Sequence, residues 1–168
     1  MELTNPSYFL VLALLVLAYW PLPQRGRVYL LLAGSYALYA LWDLRYLAVL
    51  VGSTALDFLL AAGIERTPSP RARKTLFLAS LGANIGILGY FKYANFFADT
   101  AHALAEKAGY SPHWSFPALF VPLGVSFYTF HSTSYVTDVY RGRIPACRDP
   151  IRYALYVSYF PKLIAGPI

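Results

Sequence analysis

Long apolar runs, separated by short polar stretches, make up most of this chain. They cover residues 8–22, 28–42, 46–64, 75–97 and 116–137, and a last partial run covers 153–168. A helix needs about 20 predominantly apolar residues to cross the hydrocarbon core of a bilayer. The pattern predicts an all-α integral membrane protein with about five to six transmembrane helices.

The first two runs each allow a second interpretation. The run at 8–22 has the length of a signal peptide, but Glu2 replaces the basic start and Trp20-Pro21 replaces the small-residue cleavage site, so we predict a retained helix. The run at 28–42 would be about 22 Å long as a helix, against roughly 30 Å of hydrocarbon. Either the bilayer thins there or the helix extends into flanking residues.

Two polar stretches are predicted to lie outside the bilayer. Residues 65–74 combine four basic residues with Pro68 and Pro70, which predicts a loop. Residues 99–115 form the second stretch and contain His102 and His113. We expect both histidines to be solvated loop residues without an acidic partner.

Composition supports a membrane protein and excludes two other classes. The chain is 58% hydrophobic and 13% charged, with a mean hydropathy of +0.47, whereas soluble domains are roughly 45–50% apolar and about 25% charged. A net charge of +6 would suit nucleic acid if the basic residues formed one water-facing surface. They lie instead between the apolar runs, so a soluble domain and a nucleic-acid-binding domain are both excluded.

The distribution of basic residues predicts the orientation, because Lys and Arg near helix ends are retained on the cytoplasmic side. If the helices alternate, the loops at 24–27, 65–74 and 138–152 fall on one side. They carry most of the basic residues, namely Arg25, Arg27, Arg66, Arg71, Arg73, Lys74, Arg141, Arg143, Arg148 and Arg152. We therefore predict that these loops are cytoplasmic and that the amino terminus lies outside.

Three stretches carry a family resemblance. They are LGYFKYANFF at 88–97, PLGVSFYTFHSTSYVTDVYRG at 122–142 and ALYVSYFPKLIAGPI at 154–168. Their order and content resemble the bacterial membrane-bound O-acyltransferase family, and within it the alginate O-acetyltransferase branch. The resemblance covers essentially the whole chain, and one departure is Lys162, where a neutral polar residue such as Gln is expected.

The resemblance implies part of a multi-helix fold in the bacterial inner membrane, with a central funnel in which an acyl group is moved onto a hydroxyl. It implies an acyl thioester donor such as acetyl-CoA and no bound cofactor. The implied partners are the lipid bilayer, an exported polysaccharide such as alginate, and periplasmic acyl-transfer proteins. The family's catalytic histidine would lie beyond Ile168, so we expect residues 1–168 to be the amino-terminal part of the domain and inactive alone.

His131 is the strongest candidate among the polar residues of the predicted helices. It lies mid-run, and an ionisable group inside a membrane is a functional hypothesis by default. A histidine can act as a general base, but polar side chains between membrane helices also serve as structural contacts. We favour a structural or funnel-lining role for His131, together with Ser126, Tyr128, Ser134 and Asp138.

Asp57 is the only acidic residue within an apolar run. Such a residue costs about 2.5–3.5 kcal/mol at the centre of a membrane helix, so it must face protein or water. We predict a structural partner on a neighbouring helix, with Asn84 as the candidate, and keep a substrate role as the alternative.

The segment after residue 137 raises two further predictions. Arg141 and Arg143 have the charge to attract an anionic acyl donor, but the alternative we favour is a positive-inside anchor with an Asp138–Arg141 ion pair. Pro161 and Gly166-Pro167 predict a broken last helix, which membranes tolerate only where freed backbone groups face protein or a cavity.

No Ser-His-Asp order, HExxH, CxxC or phosphate-binding glycine loop is present, and Cys147 is the only cysteine, so no metal site is predicted. Two alternatives to an acyltransferase remain open. One is a non-catalytic membrane scaffold or assembly partner. The other is a small transporter that uses Asp57 and His131 for ion coupling, although the chain shows no internal repeat.

Overall fold

The computed structural model describes residues 6–109, 122 and 124–165. Every regular element within them is an α-helix, which confirms the predicted all-α class. The helices are α1 (Pro6–Tyr19), α2 (Gln24–Trp42), α3 (Leu44–Arg66), α4 (Pro70–Lys107), α5 (Val125–Tyr140), α6 (Pro150–Ser158) and α7 (Phe160–Ala165). His113, Gly166-Pro167 and the start of the predicted fifth run lie outside the described residues.

Two of these helices, α3 and α4, are long and apolar enough to cross a membrane. They contain 23 and 38 residues, which correspond to about 35 and about 57 Å of helix against roughly 30 Å of hydrocarbon. Among the described residues no other helix meets both requirements. The predicted total of five to six transmembrane helices therefore stays a prediction.

Helix α3 is the central element of the bundle. It contacts α2, α4, α5 and α6, and Leu50, Ala61 and Ile64 on α3 are fully buried. By contrast, α4 buries only 11% of its most apolar stretch, against 33% for α3. Its outer face presents large apolar side chains that suit contact with lipid, namely Leu78, Ile85, Phe96, Phe97 and Leu104.

The predicted loop at 65–74 is much shorter in the structure, and that prediction was wrong at both ends. α3 continues to Arg66 and α4 begins at Pro70, so only residues 67–69 are non-helical. Proline is well tolerated at the first helical position, because its missing N–H would have no partner there. The basic residues of this stretch thus lie on the ends of two helices.

The second polar stretch is also helical where it is described. α4 continues past Asp99 to Lys107, and His102 lies on it rather than in a loop. His102 Nδ1 lies 3.6 Å from Glu106 Oε1. The expectation that His102 lacks an acidic partner was wrong, because a helix brings residues four apart onto one face.

Helix α2 is longer than the apolar run at 28–42, because it extends into the flanking residues. It begins at Gln24 rather than Val28, so the basic turn at 24–27 forms its first turn. Its 19 residues span about 28 Å, close to the hydrocarbon thickness of about 30 Å. Only Asp43 separates α2 from α3, and its carboxylate accepts a 2.8 Å hydrogen bond from the Arg45 amide as the N-cap of α3.

The last predicted run is broken at Tyr159, between α6 and α7. Pro161 explains the break, because its ring would clash with the carbonyl of the residue four positions earlier in a continuous helix. The freed Phe160 amide donates a 3.2 Å hydrogen bond to Ser35 Oγ on α2, in a buried setting. A backbone amide at the break is therefore hydrogen-bonded to protein, as is required of a broken helix inside a membrane.

Candidate functional site: a buried polar network

A buried polar network surrounds Asp57 on α3. The Asn84 carboxamide nitrogen donates to both carboxylate oxygens of Asp57, at 3.0 Å and 2.9 Å. Ser80 Oγ donates to Asp57 Oδ1 at 2.5 Å. Ser80 and Asn84 are four residues apart on α4 and therefore share one helical face. Asp57 is fully buried, so these two residues replace the water that the carboxyl group loses.

The network continues onto α5 and α6. Ser132 of α5 lies near the Asp57 carboxyl group. The Tyr153 hydroxyl of α6 donates to Ser132 Oγ at 3.5 Å, and both side chains are buried. We call Asp57, Ser80, Asn84, Ser132 and Tyr153 the polar network. It joins four helices at one place in an otherwise apolar core.

His131 lies next to this network on α5, in a half-buried position. Its Nδ1 atom lies 2.7 Å from the Phe127 carbonyl of the same helix. The imidazole packs edge-on against Tyr156 of α6, with 5.8 Å between the ring centroids. Lys162 of α7 places its ammonium 5.1 Å from the centroid of the same Tyr156 ring. Tyr156 thus contacts both His131 and Lys162. The ammonium of Lys162, the residue that departs from the family pattern, has a cation–π partner in this ring.

The carboxyl end of α5 is closed by a Schellman motif. Gly142, with φ of +70°, turns the chain, and the amides of Gly142 and Arg143 donate back to the carbonyls of Val139 and Asp138. This turn brings Arg143 Nη1 to 3.2 Å from Asp138 Oδ1. The predicted Asp138–Arg141 ion pair is therefore wrong: Asp138 pairs with Arg143 instead, because Gly142 turns the chain back after Arg141.

The loop at 141–149 is attached to the bundle by two polar contacts. Glu65 at the end of α3 accepts a 3.1 Å hydrogen bond from the Ala146 amide. The Tyr135 hydroxyl on α5 accepts a 2.7 Å hydrogen bond from the Cys147 amide. At the adjoining end of α4, Arg73 donates to the Tyr140 carbonyl at 3.0 Å. The basic loop is therefore held against α3 and α5, and Arg73 joins the start of α4 to the end of α5.

Comparison with known proteins identifies the relatives of this chain. It is 40% identical to a probable alginate O-acetylase of Pseudomonas putida over 98% of its own length and 34% of the relative's. It is 39% identical to one of Azotobacter vinelandii, covering 98% of this chain and 33% of that protein. A peptidoglycan O-acetyltransferase of Helicobacter pylori is 34% identical, over 90% of this chain and 32% of that protein.

The chain is homologous to the alginate O-acetylases. The predicted resemblance to this branch of the membrane-bound O-acyltransferases is confirmed. The chain spans about a third of the length of the curated relatives that it matches. No family model matches the chain, and no solved structure matches it.

The residues predicted to line a path in this alginate O-acetylase homologue occupy different surroundings. Tyr128 is buried in the core, Ser126 and His131 are half-buried, and Ser134 is exposed. Asp138 is tied to Arg143, and Arg141 is exposed. Along α5 these side chains thus range from buried to exposed, and their role in a path stays a prediction.

Sequence reasoning missed three members of the polar network, namely Ser80, Ser132 and Tyr153. Ser80 had a usable signal, because it stands four residues before Asn84 on a predicted helix. Ser132 and Tyr153 had none, since their proximity to Asp57 depends on how α5 and α6 pack. Within the described part of this homologue, no group of three His, Cys, Asp or Glu side chains is arranged to hold a metal ion.

Proposed function

We propose that this chain is part of a membrane O-acyltransferase that transfers an acyl group, specifically acetyl, to hydroxyls of an exported polysaccharide such as alginate. The observation that carries the proposal is the relationship over 90–98% of the chain to proteins named for O-acetylation of alginate and of peptidoglycan. The two acceptors named are different glycan polymers. Acetyl transfer to a glycan hydroxyl is the chemistry that they share.

In this proposal the chain supplies the wall of a transfer path rather than its base. His131, Ser126, Tyr128, Ser134 and Asp138 lie along α5 beside the polar network. His131 Nδ1 is engaged with a carbonyl of its own helix, which suits a positioning role. A histidine outside residues 1–168 performs the base chemistry, so the chain alone is inactive.

The donor reaches this path from the cytoplasmic side as an acyl thioester such as acetyl-CoA. Arg141 and Arg143 are exposed beside the end of α5 and provide charge for its anionic groups. We place the protein in the bacterial inner membrane as a multi-pass protein with its amino terminus outside. The acceptor polysaccharide and periplasmic acyl-transfer proteins then meet it from the other side.

A non-catalytic scaffold is the second candidate. The polar network supports it, because its hydrogen bonds fix four helices against one another. Asp57 belongs to this structural set, because Asn84 and Ser80 donate hydrogen bonds to its carboxyl group.

The test is a chimera in which this chain replaces the matching third of the Pseudomonas putida relative. It is expressed in a strain lacking that relative, and the acetyl content of the secreted alginate is measured. We expect acetylation to be restored, and His131→Ala to lower it more than Phe130→Ala at the adjacent exposed position. A chimera that is folded and membrane-inserted but gives no acetylation supports the scaffold instead. Acetyl transfer by the purified 168-residue chain would contradict its proposed inactivity.

A further inference from the structure

A polar cavity of about 220 Å³ lies between the first turns of α2 and α6. Arg25, Val28 and Tyr29 line it from α2, and Asp149, Ile151 and Arg152 line it from the start of α6. It therefore brings two arginines from distant parts of the sequence to one opening. On the predicted topology, this opening faces the cytoplasmic leaflet.

The charges of this cavity are not balanced within the protein. Arg152 Nε lies 3.3 Å from Asp149 Oδ2, whereas among the described residues no carboxylate pairs with Arg25. Arg27 is held elsewhere, by hydrogen bonds to the carbonyls of Leu22 and Trp20 at 2.9 Å and 3.2 Å. Basic residues in the first turn of a helix oppose the helix dipole, so an anion between Arg25 and Arg152 would relieve an unfavourable arrangement.

A second cavity, of about 330 Å³, is apolar and is also lined in part by α2. Leu15 and Tyr19 of α1, Leu31 of α2 and Phe160 at the helix break contribute to its lining. Leu31 is three residues from Val28, which lines the polar cavity, so the two side chains share one face of α2. Along the other wall, Ile151 and Tyr159 are separated by about 12 Å of chain at the helical rise. The interfacial layer of one leaflet is roughly 5–8 Å deep, so this distance leads from headgroup level into hydrocarbon.

We propose that the two cavities together hold one anionic glycerophospholipid. Its phosphate lies between Arg25 and Arg152, and one acyl chain enters the apolar cavity beside Leu31 and Phe160. Charge complementarity selects an anionic headgroup, and the apolar cavity selects a lipid over a free phosphate. The lipid would fasten α1 and α2 to the α6–α7 break. This inference does not depend on the proposed acyltransferase function.

The test is native mass spectrometry of the 168-residue chain in detergent, with phosphatidylglycerol or phosphatidylcholine added at equal concentration. We expect retention of phosphatidylglycerol and a fall of about twenty-five-fold in its affinity for Arg25→Gln/Arg152→Gln, since each arginine contributes roughly a factor of five. Arg66→Gln/Arg71→Gln removes the same charge at exposed positions that do not line the cavity and should bind as wild type. Leu31→Trp, which fills the apolar cavity, should weaken binding while circular dichroism stays unchanged.

Three outcomes would overturn the proposal. Equal retention of the two lipids would show that the cavity does not select an anionic headgroup. An equal loss of affinity in both double variants would show that only the net charge of the protein matters. Displacement of the lipid by equimolar glycerol 3-phosphate or acetyl-CoA assigns the cavity to a soluble anion.

Discussion

The Asn84 carboxamide nitrogen lies 3.0 Å and 2.9 Å from the two carboxylate oxygens of Asp57 and donates to both. The contact joins α3 to α4, and Ser80 completes it from the same face of α4. A buried acid in a membrane helix is tolerated when hydrogen-bond donors replace its lost hydration. This pairing explains how α3 can carry Asp57 at its fully buried face.

Asp57→Leu should lower the stability of the protein. The substitution removes the Asp57 acceptors of Ser80 and Asn84 and leaves Asn84 only its 3.0 Å bond to the Ser80 carbonyl. Each buried hydrogen-bonding group that loses its partner costs about 1–3 kcal/mol. Thermal unfolding in detergent measures the effect. Asp99→Leu makes the same substitution at an exposed position on α4 and should change the melting temperature little.

A double variant makes this prediction sharper. Asp57→Leu/Asn84→Leu removes donor and acceptor together, so it should be more stable than Asp57→Leu alone. If Asp57→Leu is as stable as wild type yet abolishes acetylation in the chimera, Asp57 has a substrate role and the structural interpretation fails.

Ser35→Ala should weaken the junction between α6 and α7. Ser35 Oγ accepts from the Phe160 amide at 3.2 Å, and its loss leaves that amide buried and unpaired. We expect a cost of about 1–3 kcal/mol and faster hydrogen exchange at the break. Ser69→Ala makes the same chemical change at an exposed position without a side-chain capping bond and serves as the control. Unchanged exchange at Phe160 in Ser35→Ala would show that the hydroxyl does not anchor the break.

Gly142→Ala should destabilise the end of α5, although a methyl group there would meet no atom within 4 Å. Gly142 has φ of +70°, and left-handed backbone costs a residue with a side chain roughly 1–2 kcal/mol. Gly82→Ala inside α4 also meets nothing within 4 Å, but its backbone is helical and alanine suits it. The melting temperature should therefore fall for Gly142→Ala and not for Gly82→Ala. An equal fall in the melting temperatures of the two variants would show that the left-handed backbone of Gly142 is not the cause.

The predicted topology places the start of α4 in the cytoplasm. Alkaline phosphatase fused after Lys74 should be inactive, because it folds only after export, whereas a fusion after Lys107 should be active. The length of α4, 38 residues, is sufficient to carry Lys107 beyond the roughly 30 Å hydrocarbon layer. Activity of the Lys74 fusion would reverse the assignment of the basic loops.

The start and the end of α4 are two boundaries that the sequence did not predict correctly. Pro68 and Pro70 both predict a break in the helix, yet Pro70 starts α4, because proline disrupts a helix interior but not its first turn. Composition alone predicts that the helix ends near Asp99, whereas α4 continues to Lys107. Helix propensity and hydrogen bonding continued across that change in polarity, since a helix need not end where the membrane does.

The sequence by itself determined that this chain is an all-α membrane protein and that its relatives are O-acetylases, because both depend on the order of apolar runs and motifs along the chain. It also singled out Asp57 and Asn84, since buried polar groups in apolar runs require partners. The tertiary structure decided which helices meet. Only packing brings Ser132 and Tyr153 to Asp57, Ser35 to the Phe160 amide, and Arg25 to Arg152, because these contacts join residues far apart in the chain through the relative placement of whole helices.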